Sequence, residues 1–112
     1  MPFFFADQLE TKRLAPDAER TIKARGGKLM ASEMRFSAGV IAAMHDHPHE
    51  QIIYILEGEL DFTVGGETRR VRAGDSLYAP PGVRHGAVSV TASRLLDVFS
   101  PQREDFLEPP AQ

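Results

Sequence analysis

Apolar residues fall in short runs of Val, Ile, Leu and Phe, broken by glycine and proline clusters at intervals of roughly 8–12 residues, the spacing of an all-β sandwich or barrel. No stretch sustains the period of a long helix. In Leu60-Asp61-Phe62-Thr63-Val64 apolar and polar positions alternate, which predicts a strand with one wet face. Gly65-Gly66 then separates it from Glu67 to Val71, and Gly26-Gly27 separates two earlier candidate strands, so each pair predicts a tight hairpin. Ile52-Ile53-Tyr54-Ile55-Leu56 is apolar on both faces. One face can line a barrel while the other needs cover from a second sheet or subunit, and we expect a homodimer. The Phe3 to Phe5 triplet is expected to pack into the core, the alternative being an arm laid on the body or on a second subunit. Beyond Ser100, with Pro101, Glu104, Asp105, Pro109 and Pro110, a loop and a frayed end are expected.

A chain of 112 residues is long enough for one compact domain, expected over 1–112, and too short for two. Lys and Arg number 13 against 16 Asp and Glu, a formal charge of −3, with the signs interspersed. That argues against nucleic acid as the main partner. There is no cysteine, so a bound metal must sit on nitrogen and oxygen ligands. The start, Met-Pro-Phe-Phe-Phe-Ala-Asp, has no basic leader and only a very short apolar run, so it predicts neither a signal peptide nor a membrane span, and the expected location is the cytoplasm.

The densest chemistry lies in Gly39-Val-Ile-Ala-Ala-Met-His45-Asp-His47-Pro-His49-Glu50-Gln51. His45 and His47 are two apart, so on a strand their rings leave one face and can reach one ion together. Pro48 should then stop the strand. Gln51 shares parity with Ile53 and Ile55, which directs its amide into the barrel interior. A second block, Gly74-Asp-Ser-Leu-Tyr-Ala-Pro80-Pro81-Gly82-Val-Arg-His85, ends in the natural third imidazole. His49, beside Pro48 in a turn, reads as a surface or supporting residue. Glu50 could compete with Gln51 for the metal.

Together the two blocks resemble the paired motifs of the cupin family, Gly-x5-His-x-His-x3-Glu-x6-Gly and Gly-x5-Pro-x-Gly-x2-His-x3-Asn. Gly39, His45, His47 and Gly58 match the first; Gly74, Pro80, Gly82 and His85 match the second. Gln51 stands where most cupins carry glutamate, and Ser89 where many carry asparagine. The resemblance runs from about Leu29 to Phe106. It implies a double-stranded β-helix, or jelly-roll barrel, with one divalent transition metal on His45, His47, Gln51 and His85. Three imidazoles and an amide are neutral, so the ion keeps its full charge as a Lewis acid. Nickel and zinc rank first for these donors, and iron, manganese and cobalt also suit them.

In Ser93 to Ser100, Leu95, Asp97 and Phe99 share a face. An acid within an apolar strand is costly to bury unless paired or used. It either bridges to Arg94 or Arg103, or transfers protons beside the metal. Arg103 either belongs to the solvated run Arg103-Glu104-Asp105, or returns over the mouth to hold a carboxylate. Arg69, Arg70 and Arg72 read as a wet face. His-x-His-Pro-His-Glu-Gln and Leu-Asp-Val-Phe-Ser-Pro-x-Arg-Glu-Asp-Phe together resemble the pectin-degradation cupins, which convert 4,5-unsaturated uronates into linear keto sugars. The resemblance implies that Asp97, Phe99 and Arg103 line a site for a small carboxylated sugar, with Asp97 and Arg103 catalytic. The alternatives are a cupin dioxygenase acting on a small organic substrate and a non-catalytic small-molecule sensor.

Overall fold

The period-two patterns become ten strands in the computed structural model, which describes residues 2–107: β1 (Thr11–Ala15), β2 (Ala18–Gly26), β3 (Leu29–Phe36), β4 (Ile41–His45), β5 (Glu50–Glu57), β6 (Glu59–Val64), β7 (Glu67–Arg72), β8 (Ser76–Ala79), β9 (His85–Ser89) and β10 (Ser93–Ser100). Pro109 and Pro110 lie outside the described residues. All pairings are antiparallel, in a six-stranded sheet ordered β1-β2-β3-β10-β5-β8 and a four-stranded sheet ordered β4-β9-β6-β7. These are the two halves of a jelly roll. Among the described residues no helix is long and apolar enough to cross a membrane.

Both glycine pairs sit at the hairpins they predict, β2–β3 and β6–β7. The core lies between the sheets, built by Ile53, Ile55 and Leu95 from one side and by Leu60, Phe62 and Ala87 from the other. Gly58, at the β5–β6 corner, has a left-handed backbone (φ +88°), and a Cβ there would strike the Ala92 carbonyl and Ser93. Glycine is required at that motif position on both counts. Ser89, in place of the motif asparagine, is buried; its Oγ accepts from Val40 N at 2.9 Å and donates to Ser37 O at 2.7 Å. One hydroxyl thus ties down the loop that leads into β4.

Three expectations change. Phe3, Phe4 and Phe5 do not enter the core: all are exposed, at 71%, 39% and 59%, ahead of a 3₁₀ turn at Ala6–Gln8. The buried cluster is built from Ala18 onward without them. The strand carrying His45 ends at that residue, so His47 lies beyond β4 and not on it. The segment after Ser100 is not wholly irregular, since Glu104–Phe106 forms a 3₁₀ turn. The outer face of β5 is open as anticipated, with Ile52 50%, Tyr54 42% and neighbouring Tyr78 49% exposed.

Candidate metal and substrate site

His45 and His85 are Cα partners across β4 and β9, and close approach of these strands depends on Gly86, where a Cβ would meet the Ala42 carbonyl at 2.8 Å. His47 follows β4, and Gln51 begins the inward row of β5. The three rings converge, with centroids 4.4 Å apart for His45–His85, 4.9 Å for His47–His85 and 5.7 Å for His45–His47. One nitrogen from each lies within 4.8 Å of the others.

Backbone carbonyls set the tautomer of each ring. Nδ1 of His45 meets Ala43 O at 2.8 Å, Nδ1 of His47 meets His49 O at 3.0 Å, and Nδ1 of His85 meets Val83 O at 3.0 Å. A carbonyl only accepts, so each Nδ1 carries the proton and each Nε2 presents a lone pair, the form that binds metals. Burial lowers the pKa of both His47 and His85, and the charge of Arg103 adds to it, which favours the neutral ring with its lone pair.

The fourth donor is oriented by Asp97. Gln51 Nε2 donates to Asp97 Oδ1 at 3.1 Å, which turns Gln51 Oε1 toward His47 Nε2 at 2.9 Å. Two lone-pair atoms face each other there, while the buried Nε2 of His85 has no hydrogen-bond partner. Donors arranged this way fit a cation: three imidazole nitrogens and an amide oxygen suit a divalent transition metal. Glu50 points outward and accepts from Tyr78 Oη at 3.0 Å, which removes it from competition. His49 stands outside the triad, its ring edge-on to His47 at 5.3 Å.

Six of the seven predicted site residues line one cavity of 240 Å³: His45, Gln51, His85, Asp97, Phe99 and Arg103. The seventh, His47, borders an outer groove with His49, Gln102 and Arg103. Asp97 is buried and its pKa is pushed up to about 7 by desolvation, against the Gln51 hydrogen bond and the charge of Arg103. The bridge to arginine does not form. Arg94 binds Glu57 at 2.7 Å and Glu33 at 3.2 Å, on the outer face of the sheet, and Arg103 binds Asp105 through Nε and Nη2 at 3.1 and 2.9 Å. Arg69, Arg70 and Arg72 are exposed and pair with Glu67, Asp61 and Glu59.

Sequence reasoning missed three residues. Arg20 of β2 lines the cavity, with its guanidinium 3.6 Å from the centroid of Phe106, itself a lining residue. Ser32, opposite Asp97 in the β3–β10 register, is fully buried with an unpartnered hydroxyl. Arg20 shares parity with buried Ala18, a signal present in the sequence. The pairing of β2 with β3 runs unbroken from Ala18 to Ile22, so Arg20 is a charged residue in a row whose neighbours Ala18 and Ile22 are apolar, and its charge alone suggests a wet position.

Comparison with known proteins agrees with the fold. The Cupin domain family matches residues 32–99. The pectin degradation protein KdgF of Dickeya dadantii (strain 3937) is 35% identical over 107 residues, covering 94% of this chain and 97% of that protein. The solved structure of KdgF from a Halomonas species superposes with a TM-score of 0.88 at 36% identity, covering 93% of this chain and 98% of that one. An RmlC-like cupin from Shewanella frigidimarina gives 0.89 at 39% identity, covering 93% and 94%.

Proposed function

The chain belongs to the cupin family, and from that premise we propose that it is a metal-dependent isomerase that opens 4,5-unsaturated uronates to linear keto sugars. The observation that carries this reading is the composition of the 240 Å³ cavity: three of the four neutral donors, a single carboxylate, Asp97, and arginine within one small chamber, with His47 closing the histidine triad at its edge. That volume lies below the roughly 300–1,000 Å³ of pockets for drug-sized ligands and suits one sugar ring. The relation to a pectin degradation protein supports the substrate class.

His45, His47, Gln51 and His85 would hold the ion, with nickel or zinc foremost. When bound, such an ion supplies Lewis acidity that no anionic ligand reduces. The conversion consumes no oxidant and no water. The bond between the anomeric carbon and the ring oxygen breaks, and the anomeric hydroxyl loses its proton as the aldehyde forms. The ring oxygen keeps the electron pair as an enolate, and the proton added at the alkene carbon C4 gives the ketone, so the one proton lost by the anomeric hydroxyl balances the one gained at C4. Asp97 is the group that moves this proton, being the one carboxyl among the described residues lining the cavity. Arg103, 5.1 Å from the Phe99 ring centroid, attracts the substrate carboxylate, and Phe99 forms the wall against the ring. The exposed apolar face of Ile52, Tyr54 and Tyr78 supports a homodimer that would bury it, which sedimentation of wild type against Tyr54→Lys checks; a monomeric wild type would contradict it.

Incubation of the metal-loaded protein with an unsaturated monouronate tests the reaction. The conjugated-alkene absorbance should fall, and the decay should slow to the buffer rate after chelation. Oxygen uptake by an iron-loaded preparation without alkene loss would favour a dioxygenase instead.

A further inference from the structure

Arg103 is not the sole cation of the cavity, and it is not the one with its fork free. Its Nε and Nη2 edge is taken up by both oxygens of Asp105. Arg20 lines the same cavity as His45, Gln51, His85 and Asp97. It is half-buried and, among the described residues, makes no hydrogen bond or ion pair, resting only on Phe106, on which Arg103 also lies at 4.3 Å. A guanidinium stays charged and has five N–H donors in a fixed fork matched to a carboxylate. Withdrawing such a group from water with no anionic partner is unfavourable. Burial and the nearby positive charge of Arg103 both act on Arg20, and Asp105 only partly offsets them. An incoming anion would relieve both.

Resting on the isomerase reading and extending it, we propose that Arg20 is a substrate-binding residue whose open fork seats the carboxylate of a monosaccharide acid. Arg103, in the loop after β10 and braced by Asp105, closes the seat. The chamber then discriminates a sugar acid from the neutral sugar of the same shape: a neutral ligand leaves Arg20 unpaired, whereas a uronate satisfies it. Phe106 is the platform that orients both cations, since a guanidinium stacks on an aromatic face.

The test is equilibrium binding of D-galacturonate and of D-galactose to the metal-loaded protein, for wild type, Arg20→Gln and Arg20→Lys, beside kinetics on an unsaturated galacturonate. Galacturonate affinity should fall at least tenfold in Arg20→Gln and by less in Arg20→Lys, which keeps the charge and the stem over Phe106 but loses the fork. Galactose affinity should be equal in all three. In turnover, KM should rise at least tenfold in Arg20→Gln while kcat changes less than threefold. If Arg20→Gln fails to fold, a loss of several-fold confined to galacturonate in Arg20→Lys decides the question. Galacturonate affinity within twofold of wild type in the folded variants would overturn the proposal, as would a parallel loss of galactose or no preference for galacturonate in wild type. A wild type that binds galacturonate through Arg20 but leaves every unsaturated uronate unchanged would overturn the isomerase reading alone.

Discussion

Two buried acids lie one register step apart in the same sheet and meet opposite fates. Glu33 of β3 is Cα partner to Leu96, on the outer face; the next pair, Ser32 and Asp97, faces inward. Glu33 gathers Arg35 at 3.1 Å, Arg94 at 3.2 Å and Lys23 at 3.8 Å. Burial alone would raise its pKa, but the hydrogen bonds from Arg94 and Arg35 outweigh that and hold it below the ordinary value. Asp97 has no cation within ion-pair distance among the described residues. It meets the Gln51 amide instead, and desolvation pushes it up to about 7. The first acid is satisfied by its surroundings and serves stability. The second is left in a state that a structural role does not require, inside a cavity lined by candidate ligands.

The difference predicts opposite outcomes for the same isosteric change. Asp97→Asn keeps an acceptor for the Gln51 amide but cannot exchange a proton near neutral pH. Turnover of an unsaturated uronate should fall by roughly 10²- to 10⁴-fold, with metal content retained. The melting temperature should equal or exceed that of wild type, because a buried amide replaces a buried carboxylate. A stable, metal-loaded Asp97→Asn protein working at the wild-type rate would remove Asp97 from the mechanism.

Next in size is His47→Ala, which deletes a ligand while leaving the apolar core intact. Metal affinity should fall by more than the roughly 10- to 100-fold typical of losing an outer partner of a ligand, with a folded β spectrum by circular dichroism. Full metal stoichiometry in this variant would refute the ligand assignment. Gln51→Glu should bind metal as well or better yet slow turnover, since a carboxylate on the ion reduces its Lewis acidity. It also sets a second acid beside Asp97. A rate at or above wild type would count against the importance of the neutral donor set.

The smallest effect is expected on the structural side. Glu33→Gln should leave turnover unchanged and destabilise the fold by about 1–2 kcal/mol, a charge-assisted value discounted because the arginines are well exposed. The sign with pH follows from a folded pKa below the unfolded one: the contribution is fully present above about pH 4.3, the unfolded value, and is lost as pH falls through the lower folded value. Wild type and Glu33→Gln should therefore converge in melting temperature under acid. A gap that widens on acidification would contradict the ion-pair account.

Much of this was legible in the chain because the relevant signals are local. Alternation placed Gln51 with Ile53 and Ile55, and Asp97 with Leu95 and Phe99, on inward faces, and burial agrees for all six. Glycine pairs marked hairpins because their turns demand them. What escaped depends on distant register. Arg20 reaches the cavity because β2 pairs with β3, which sets it opposite Met34, another lining residue, and Arg103 is braced by a 3₁₀ turn whose residues are charged and irregular in sequence. The fate of Phe3 to Phe5 was also hidden, since hydrophobicity alone does not say which apolar side chains the strands enclose.

In the proposed reaction this neutral histidine and glutamine site, with Asp97 beside it, opens an unsaturated uronate by moving a proton to C4. Proton NMR of an unsaturated galacturonate with metal-loaded protein in D₂O tests it most directly. The account predicts loss of the C4 vinyl signal faster than in buffer alone and growth of a C4 methylene carrying one deuterium. A vinyl signal that persists at the buffer rate, in protein shown to hold stoichiometric metal, would contradict it.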